Sequence, residues 1–286
     1  MASLRQIRQR MRSIHNIHEI TKAMGMIAAF RFKKAEGRFS RSRAYFLEME
    51  KLVANLAASA SEREDPLFGG RAVKKKTLVV MTGDKGLCGA YNTNLMRAAV
   101  AWQRENGSFD TSLVPVGKIG SETCRKRHLK TLASYPERSA VDFSFAKRMA
   151  DELKEAYLSG ATDSVELLYT TFRVGGAGSP KVVPYLGLAY LVEGKKDAAA
   201  ATDYIYEPDF EGVFRPLLGA YLEGKLYMAL LESLTSEYAA RMTAMNQATD
   251  NSEEILDSLK LLRNKTRQAT ITRELSEIVG GAAVLV

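Results

Sequence analysis

Apolar residues near the start of the chain fall at Leu4, Ile7, Met11, Ile14, Ile17, Ile20, Met24 and Ile27. Each step is three or four residues, the spacing that lines one face of an α-helix. Ser3 stands before the pattern as a predicted N-cap. As far as Ser61 there is no proline, and the only glycines are Gly25 and Gly37. A helix from Ser3 to Ala57 would be roughly 80 Å long, more than the diameter of a small domain. The other end of the chain repeats the design. No glycine or proline falls between Gly224 and Gly280, and good helix formers dominate. Met242, Met245, Leu256 and Leu259 share an a/d heptad frame with Thr249, Ser252 and Thr266. Two over-long helices at opposite ends of a chain predict an antiparallel coiled coil, each covering the other's stripe. Neither is a regular zipper. The polar seam positions predict a weakened hairpin or one with a further partner around it.

The middle of the chain has a different rhythm. Short β-rich runs occur at Thr77–Thr82, Thr111–Val116, Val165–Val174 and Val182–Ala189, with helix-like stretches at Tyr91–Glu105 and Phe143–Leu158. Alternation of this kind predicts an α/β unit with a mainly parallel sheet, large enough to bury its own core. The expected division is residues 1–61 as an N-terminal coiled-coil helix, 70–210 as a central α/β domain and 211–286 as a C-terminal coiled-coil helix. The glycine-rich run Gly175–Pro180 joins two strand-like segments and reads as a hairpin loop.

Composition narrows the classes. The chain has 286 residues, 46% hydrophobic and 26% charged, ordinary globular usage that excludes wholesale disorder. No apolar window is long enough for a membrane span. The first residues, MASLRQIRQRMRS, lack the apolar core of a secretory signal and read as mature protein. Two cysteines, Cys88 and Cys124, suit neither a disulfide framework nor a zinc cage, and a reducing compartment is expected. The net charge is +8, but Met1–Arg43 alone carries eleven bases against two acids, a net of +9. Further basic clusters stand at Lys74–Lys76 and Arg125–Arg127. A basic arm of this kind calls for an acidic partner, and a coiled-coil adaptor that binds nucleic acid is one reading.

The sequence offers little catalytic chemistry. None of the Gly-Lys pairs, at Gly117, Gly194 and Gly224, is followed by Ser or Thr, so the phosphate-binding Walker pattern is missing. The nearest approach to an anion site is Gly83-Asp84-Lys85-Gly86-Leu87-Cys88-Gly89, after the first strand and before a helix. Its spacing fits no nucleotide motif, and a tight turn using glycine for positive φ accounts for it. Cys88 at that helix start reads as a buried small hydrophobe rather than a nucleophile. His15 and His18 have no acid or cysteine arranged around them as metal ligands and read as exposed or interfacial. No cofactor is expected.

Three runs together carry a resemblance: Ile14–Ile27 (IHNIHEITKAMGMI), Gly83–Asn92 (GDKGLCGAYN) and Arg241–Ala282 (RMTAMNQATDNSEEILDSLKLLRNKTRQATITRELSEIVGGA). The chain resembles the γ subunits of F-type ATP synthases over essentially its whole length. The resemblance implies a non-catalytic rotor shaft, its terminal helices coiled inside a ring of three α and three β subunits. The α/β domain is then expected near the ε subunit and the membrane c-ring, with ATP chemistry confined to the β subunits. A peripheral place on the cytoplasmic side of a bacterial cell membrane follows.

The resemblance also implies particular contacts. Arg267 and Gln268 match a pair that hydrogen-bonds a β-subunit loop, with Thr272 and Glu274 in support. Lys22 and Met24 match the segment facing an acidic β-subunit motif, to which Arg31, Lys34, Lys74, Lys75 and Lys76 are further electrostatic partners. The apolar end Ala282–Val286 matches a tip held in an apolar sleeve. Two departures stand out: Gly25, where the family often has a charge and where glycine is expected to soften the helix, and Gly83, in place of a usual serine.

Overall fold

The computed structural model describes residues 3–61, 67, 72–137, 141–173, 178–188, 191, 207 and 209–284, with backbone alone in 57–61 and 280–284. The elements in chain order are α1 (Leu4–Ser61), β1 (Lys75–Met81), α2 (Tyr91–Glu105), β2 (Asp110–Val116) and α3 (Lys118–Lys126). They continue with α4 (Phe143–Leu158), β3 (Ser164–Thr170), β4 (Pro180–Leu186) and α5 (Phe210–Val284). Contacts divide the chain into two compact units, Met1–Ala29 with Arg241–Val286, and Phe30–Ala240.

In the larger unit the sheet order is β2-β1-β3-β4. β1 pairs in parallel with both β2 and β3, and β4 joins β3 antiparallel. The expected mainly parallel sheet is therefore present. Alternation along β1 assigns its faces. Val79 and Met81 pack with Met149, Leu153 and Tyr157 of α4 and with the adjoining parts of the long helices. Leu78 and Val80 pack with Leu95, Ala99 and Trp102 of α2 and with Cys124 of α3. Both faces are covered, which is why the central strands read as continuous apolar runs.

Local signals account for the boundaries. Ser3 and Gln6 exchange hydrogen bonds, Ser3 N to Gln6 Oε1 at 2.9 Å and Gln6 N to Ser3 Oγ at 3.3 Å, a capping box at the start of α1. Asp142 caps α4 through Phe145 N at 2.8 Å, and Asp209 caps α5 through Gly212 N at 2.6 Å. Helix α5 thus begins at Phe210 and carries Pro216 inside it. The short helix α3 has no apolar periodicity to announce it. It exists because β2 ends at Gly117, whose φ of 97° and 2.3 Å approach of an added Cβ to Thr82 O admit only glycine.

Candidate partner-binding surfaces

The smaller unit pairs the first turns of α1 with the last half of α5. On α1 the heptad row of covered positions is Leu4, Ile7, Met11, Ile14, His18, Thr21, Gly25 and Ala28, with Met24 and Ala29 half-buried beside it. On α5 they are Met242, Met245, Thr249, Ser252, Leu256, Leu259, Arg263 and Thr266. Both rows alternate steps of three and four, the heptad rhythm of helices that wrap each other. The frame expected for α5 is observed. The stripe expected for α1 holds at Leu4, Ile7, Met11, Ile14 and the half-buried Met24. It fails where the apolar residues lag the heptad, and Ile17, Ile20 and Ile27 stand 46%, 58% and 55% exposed.

Polar groups fill the seam where those isoleucines leave it. Thr249 Oγ1 lies 2.9 Å from Thr21 Oγ1, and Thr21 donates to the His18 carbonyl at 3.0 Å. Gly25 is buried beside them. A Cβ there would stand 3.0 Å from Asn246 Oδ1 and 3.6 Å from Met245 Cβ. Gly25 is therefore a close-packing position, a role that the sequence concealed.

Past Thr270 no described helix covers α5: every side chain described from Ile271 to Val279 is exposed. Ile271, Leu275, Ile278 and Val279 nonetheless follow an i, i+4, i+7, i+8 stripe, with Leu275 57% and Ile278 69% exposed. Arg267, Gln268, Thr272 and Glu274 all lie exposed on this stretch. Arg267, Ile271, Glu274 and Ile278 recur along a single face, so charge and apolar surface are interleaved there. Lys22 is exposed and Met24 half-buried. The side chains of Ala282–Val284 and all of Leu285–Val286 lie outside the described residues.

In the larger unit Arg31 and Lys34 are exposed on α1. Lys74, Lys75 and Lys76 stand at the start of β1, where Lys75 Nζ donates to Gly160 O at 3.0 Å and Lys76 Nζ to Asn106 Oδ1 at 2.8 Å. No described hydrogen bond or ion pair joins this run to Arg31 or Lys34.

The turn after β1 is stitched into the unit on every side. Gly83 N donates to Asn92 Oδ1 at 2.8 Å, Asn92 Nδ2 to Cys88 Sγ at 3.2 Å, and Lys118 N to Asp84 Oδ1 at 3.2 Å. Positive φ falls at Leu87 and Gly89, not at Gly83. Gly83 is needed for space, since an added Cβ would lie 2.9 Å from Cδ of the buried Glu237. Cys88 is 2% exposed, a buried small side chain as expected. The polar row Ser233, Thr235, Ser236 and Glu237 is buried on α5, and Tyr91 Oη sits 2.7 Å from Ser233 Oγ. A polar row on a buried helix face could have been read as a sign of this network, but its partners are distant in sequence.

An α/β unit joined to a coiled coil with uncovered apolar and basic faces defines an assembly subunit, built to be surrounded by other chains. The profile of the ATP synthase family matches residues 3–285. The chain is 40% identical to the ATP synthase gamma chain of Moorella thermoacetica over 286 residues, covering all of both chains. It is similar to a chain of the Tetrahymena thermophila mitochondrial ATP synthase central stalk and c-ring at 28% identity and TM-score 0.61, covering 80% of this chain and 99% of that one. It also shares the fold of a chain in the Euglena gracilis mitochondrial ATP synthase, in a structure of OSCP, F1 and c-ring. That match has 18% identity, a TM-score of 0.68, and covers 99% of this chain and 94% of that one. The chain belongs to the ATP synthase gamma-chain family, whose members are central-stalk rotor subunits. None of these comparisons supports a nucleic-acid-binding adaptor.

Proposed function

We propose that the chain is the non-catalytic shaft of an F-type ATP synthase, turning inside a ring of three α and three β subunits and carried by a membrane c-ring, with an ε subunit beside its α/β domain. The observation that supports this most is the uncovered end of α5. An apolar stripe interleaved with Arg267 and Glu274 has no partner among the described residues of its own unit, and a surrounding ring supplies one. Peripheral attachment on the cytoplasmic side of the cell membrane fits the helices described, none of which is long and apolar enough to cross a bilayer.

The mechanism is differential contact. A single shaft in a threefold ring meets each catalytic site with a different face, and a third of a turn exchanges those faces. A tenfold change in nucleotide affinity needs about 1.4 kcal/mol of differential contact, and a swing from 1:99 to 99:1 about 5.5 kcal/mol. Arg267 and Gln268 are suited to supply part of it, since a guanidinium fork makes short, directional, charge-assisted bonds. Thr272 and Glu274 extend the same contact. Lys22, Met24, Arg31 and Lys34 meet an acidic β-subunit motif, and the apolar tip Ala282–Val286 turns in an apolar sleeve, where contact has little directional preference. Seam packing keeps the pair from bending before those contacts exchange.

The test is the assembled complex carrying Arg267→Ala and Gln268→Ala. ATPase should fall several-fold, while the free chain melts as before because both side chains are exposed. Unchanged turnover would remove the pair from the mechanism.

A further inference from the structure

The two basic clusters that the sequence places fifty residues apart come together in the larger unit. Strands β1 and β2 are parallel, with Lys75 opposite Asp110, so Lys74–Lys76 mark the N-terminal edge of the sheet. Helices α2 and α3 follow these strands and run back to the same edge. There α2 ends with Arg104 in its last turn, and α3 with Arg125 and Lys126. The chain continues through Arg127 to Lys130, whose carbonyl accepts from Leu113 N at 2.9 Å. The result is a rim of cations along one edge of the domain.

Three of the carboxylates at this edge are already engaged, while Glu105, exposed beside Arg104, has no ion pair among the described residues. Asp110 holds Lys130 at 2.5 Å. Asp163 accepts from Lys74 N and Lys75 N at 3.0 and 2.9 Å. Glu122 lies 4.0 Å from Lys126. Lys74, Arg104, Arg125 and Arg127 are exposed and have no ion pair among the described residues. Cations in a last helical turn complement the helix dipole. That accounts for Arg104, Arg125, Lys126 and the C-cap residue Arg127, but not for Lys74, which lies outside any helix. Val73 beside it is 39% exposed.

We propose that this rim rests against an anionic lipid surface. The cations come from three separate segments on long, flexible side chains and are spread along an edge. Such an array needs no fixed register, and a layer of lipid headgroups offers none. Single-stranded nucleic acid would call for an aromatic platform among the cations. The ring available, Phe109, is already capped by Lys76 Nζ at 4.3 Å from its centroid.

The full chain tests this by flotation with vesicles of phosphatidylglycerol and phosphatidylcholine, against phosphatidylcholine alone. It should float only with the anionic vesicles and be released as salt rises. Charge reversal at Arg104, Arg125 and Arg127 (each →Glu) should weaken binding at least about tenfold. The milder set Arg125→Gln and Arg127→Gln should weaken it less, and unchanged melting of this pair guards against misfolding. The basic N-terminal arm is the competing site, so Arg8→Glu with Arg12→Glu serves as the control and should retain most of the binding. Equal flotation of the rim variants and the parent would overturn the proposal. So would loss of binding in the arm variant alone, or retention on heparin with no flotation at all.

Discussion

The two units bury their side chains by opposite means. In the α/β unit Leu78, Val80, Leu113 and Leu167 have no exposed surface, and both faces of the sheet are closed by helices. In the coiled coil the seam is closed at Ile7, Ala28, Met245 and Leu259 but crosses threonine, serine and glycine between them. Meanwhile Ile17, Ile20 and Ile271 face outward. The first unit contains its own reason to fold. The second leaves apolar surface uncovered, which only makes sense in an assembly.

Truncation should reveal that contrast most strongly. Leu167→Ala removes a fully buried side chain from β3 and should cost about 2–5 kcal/mol in the free chain. Ile271→Ala, on the uncovered end of α5, should change the stability of the free chain by less than about 0.5 kcal/mol. In the assembled complex, Ile271→Ala should instead weaken retention of the chain. Denaturant unfolding of each variant measures the first pair, and subunit release measures the last. Equal costs in the free chain would mean that the end of α5 is covered after all.

That contrast was only partly legible in the sequence. Periodicity placed α2 and α4 at their observed bounds, because amphipathic helices on a sheet keep one face to the core. It fails at Ile17, Ile20 and Ile27, where apolar character does not mean burial. In a helix destined to be surrounded, apolar residues serve two interfaces, and a single chain does not say which is internal. The covered positions Thr21 and Gly25 look unpromising on any hydropathy scale. The rim of Lys74–Lys76 and Arg125–Arg127 was visible as two clusters, but only parallel pairing of β1 and β2 brings them to one edge. Glu237 beneath Gly83 left no local trace, since its partner is more than a hundred residues away.

A second difference is electrostatic. The α/β unit encloses ionisable groups, among them Lys225, whose pKa burial lowers from 10.5 to about 8 against the opposing pull of Glu50. Below about pH 8 both folded and unfolded chains carry the charge, and the folded chain bears its desolvation cost. As pH rises from about 8 to 10.5 the folded chain gives up the proton first, so stability should increase across that window by up to about 3 kcal/mol. Lys225→Met removes the half-buried charge. It should stabilise the chain at pH 7, and its advantage should shrink through the same window. A gap between variant and parent that stays constant from pH 7 to 10 would show that the Lys225 charge does not cost the fold stability.

The smallest effect separates two glycines that the sequence treats alike. Both depart from what the resemblance led us to expect, and both are buried. At Gly83 an added methyl meets all three terminal atoms of Glu237 within 2.9 to 3.1 Å. That carboxylate is 4% exposed and the turn above it is tied at Asn92 and Lys118. Neither side can withdraw, so Gly83→Ala should cost about 1–3 kcal/mol. At Gly25 the nearest atom is Oδ1 of Asn246, 3.0 Å away at the tip of an exposed side chain that can rotate aside. Alanine also recovers roughly 1 kcal/mol of helix propensity. Gly25→Ala should therefore be neutral or raise stability by less than about 1 kcal/mol. If it instead costs as much as Gly83→Ala, the seam is packed as tightly as the α/β core. Asn246 would then be held in place rather than free to rotate aside.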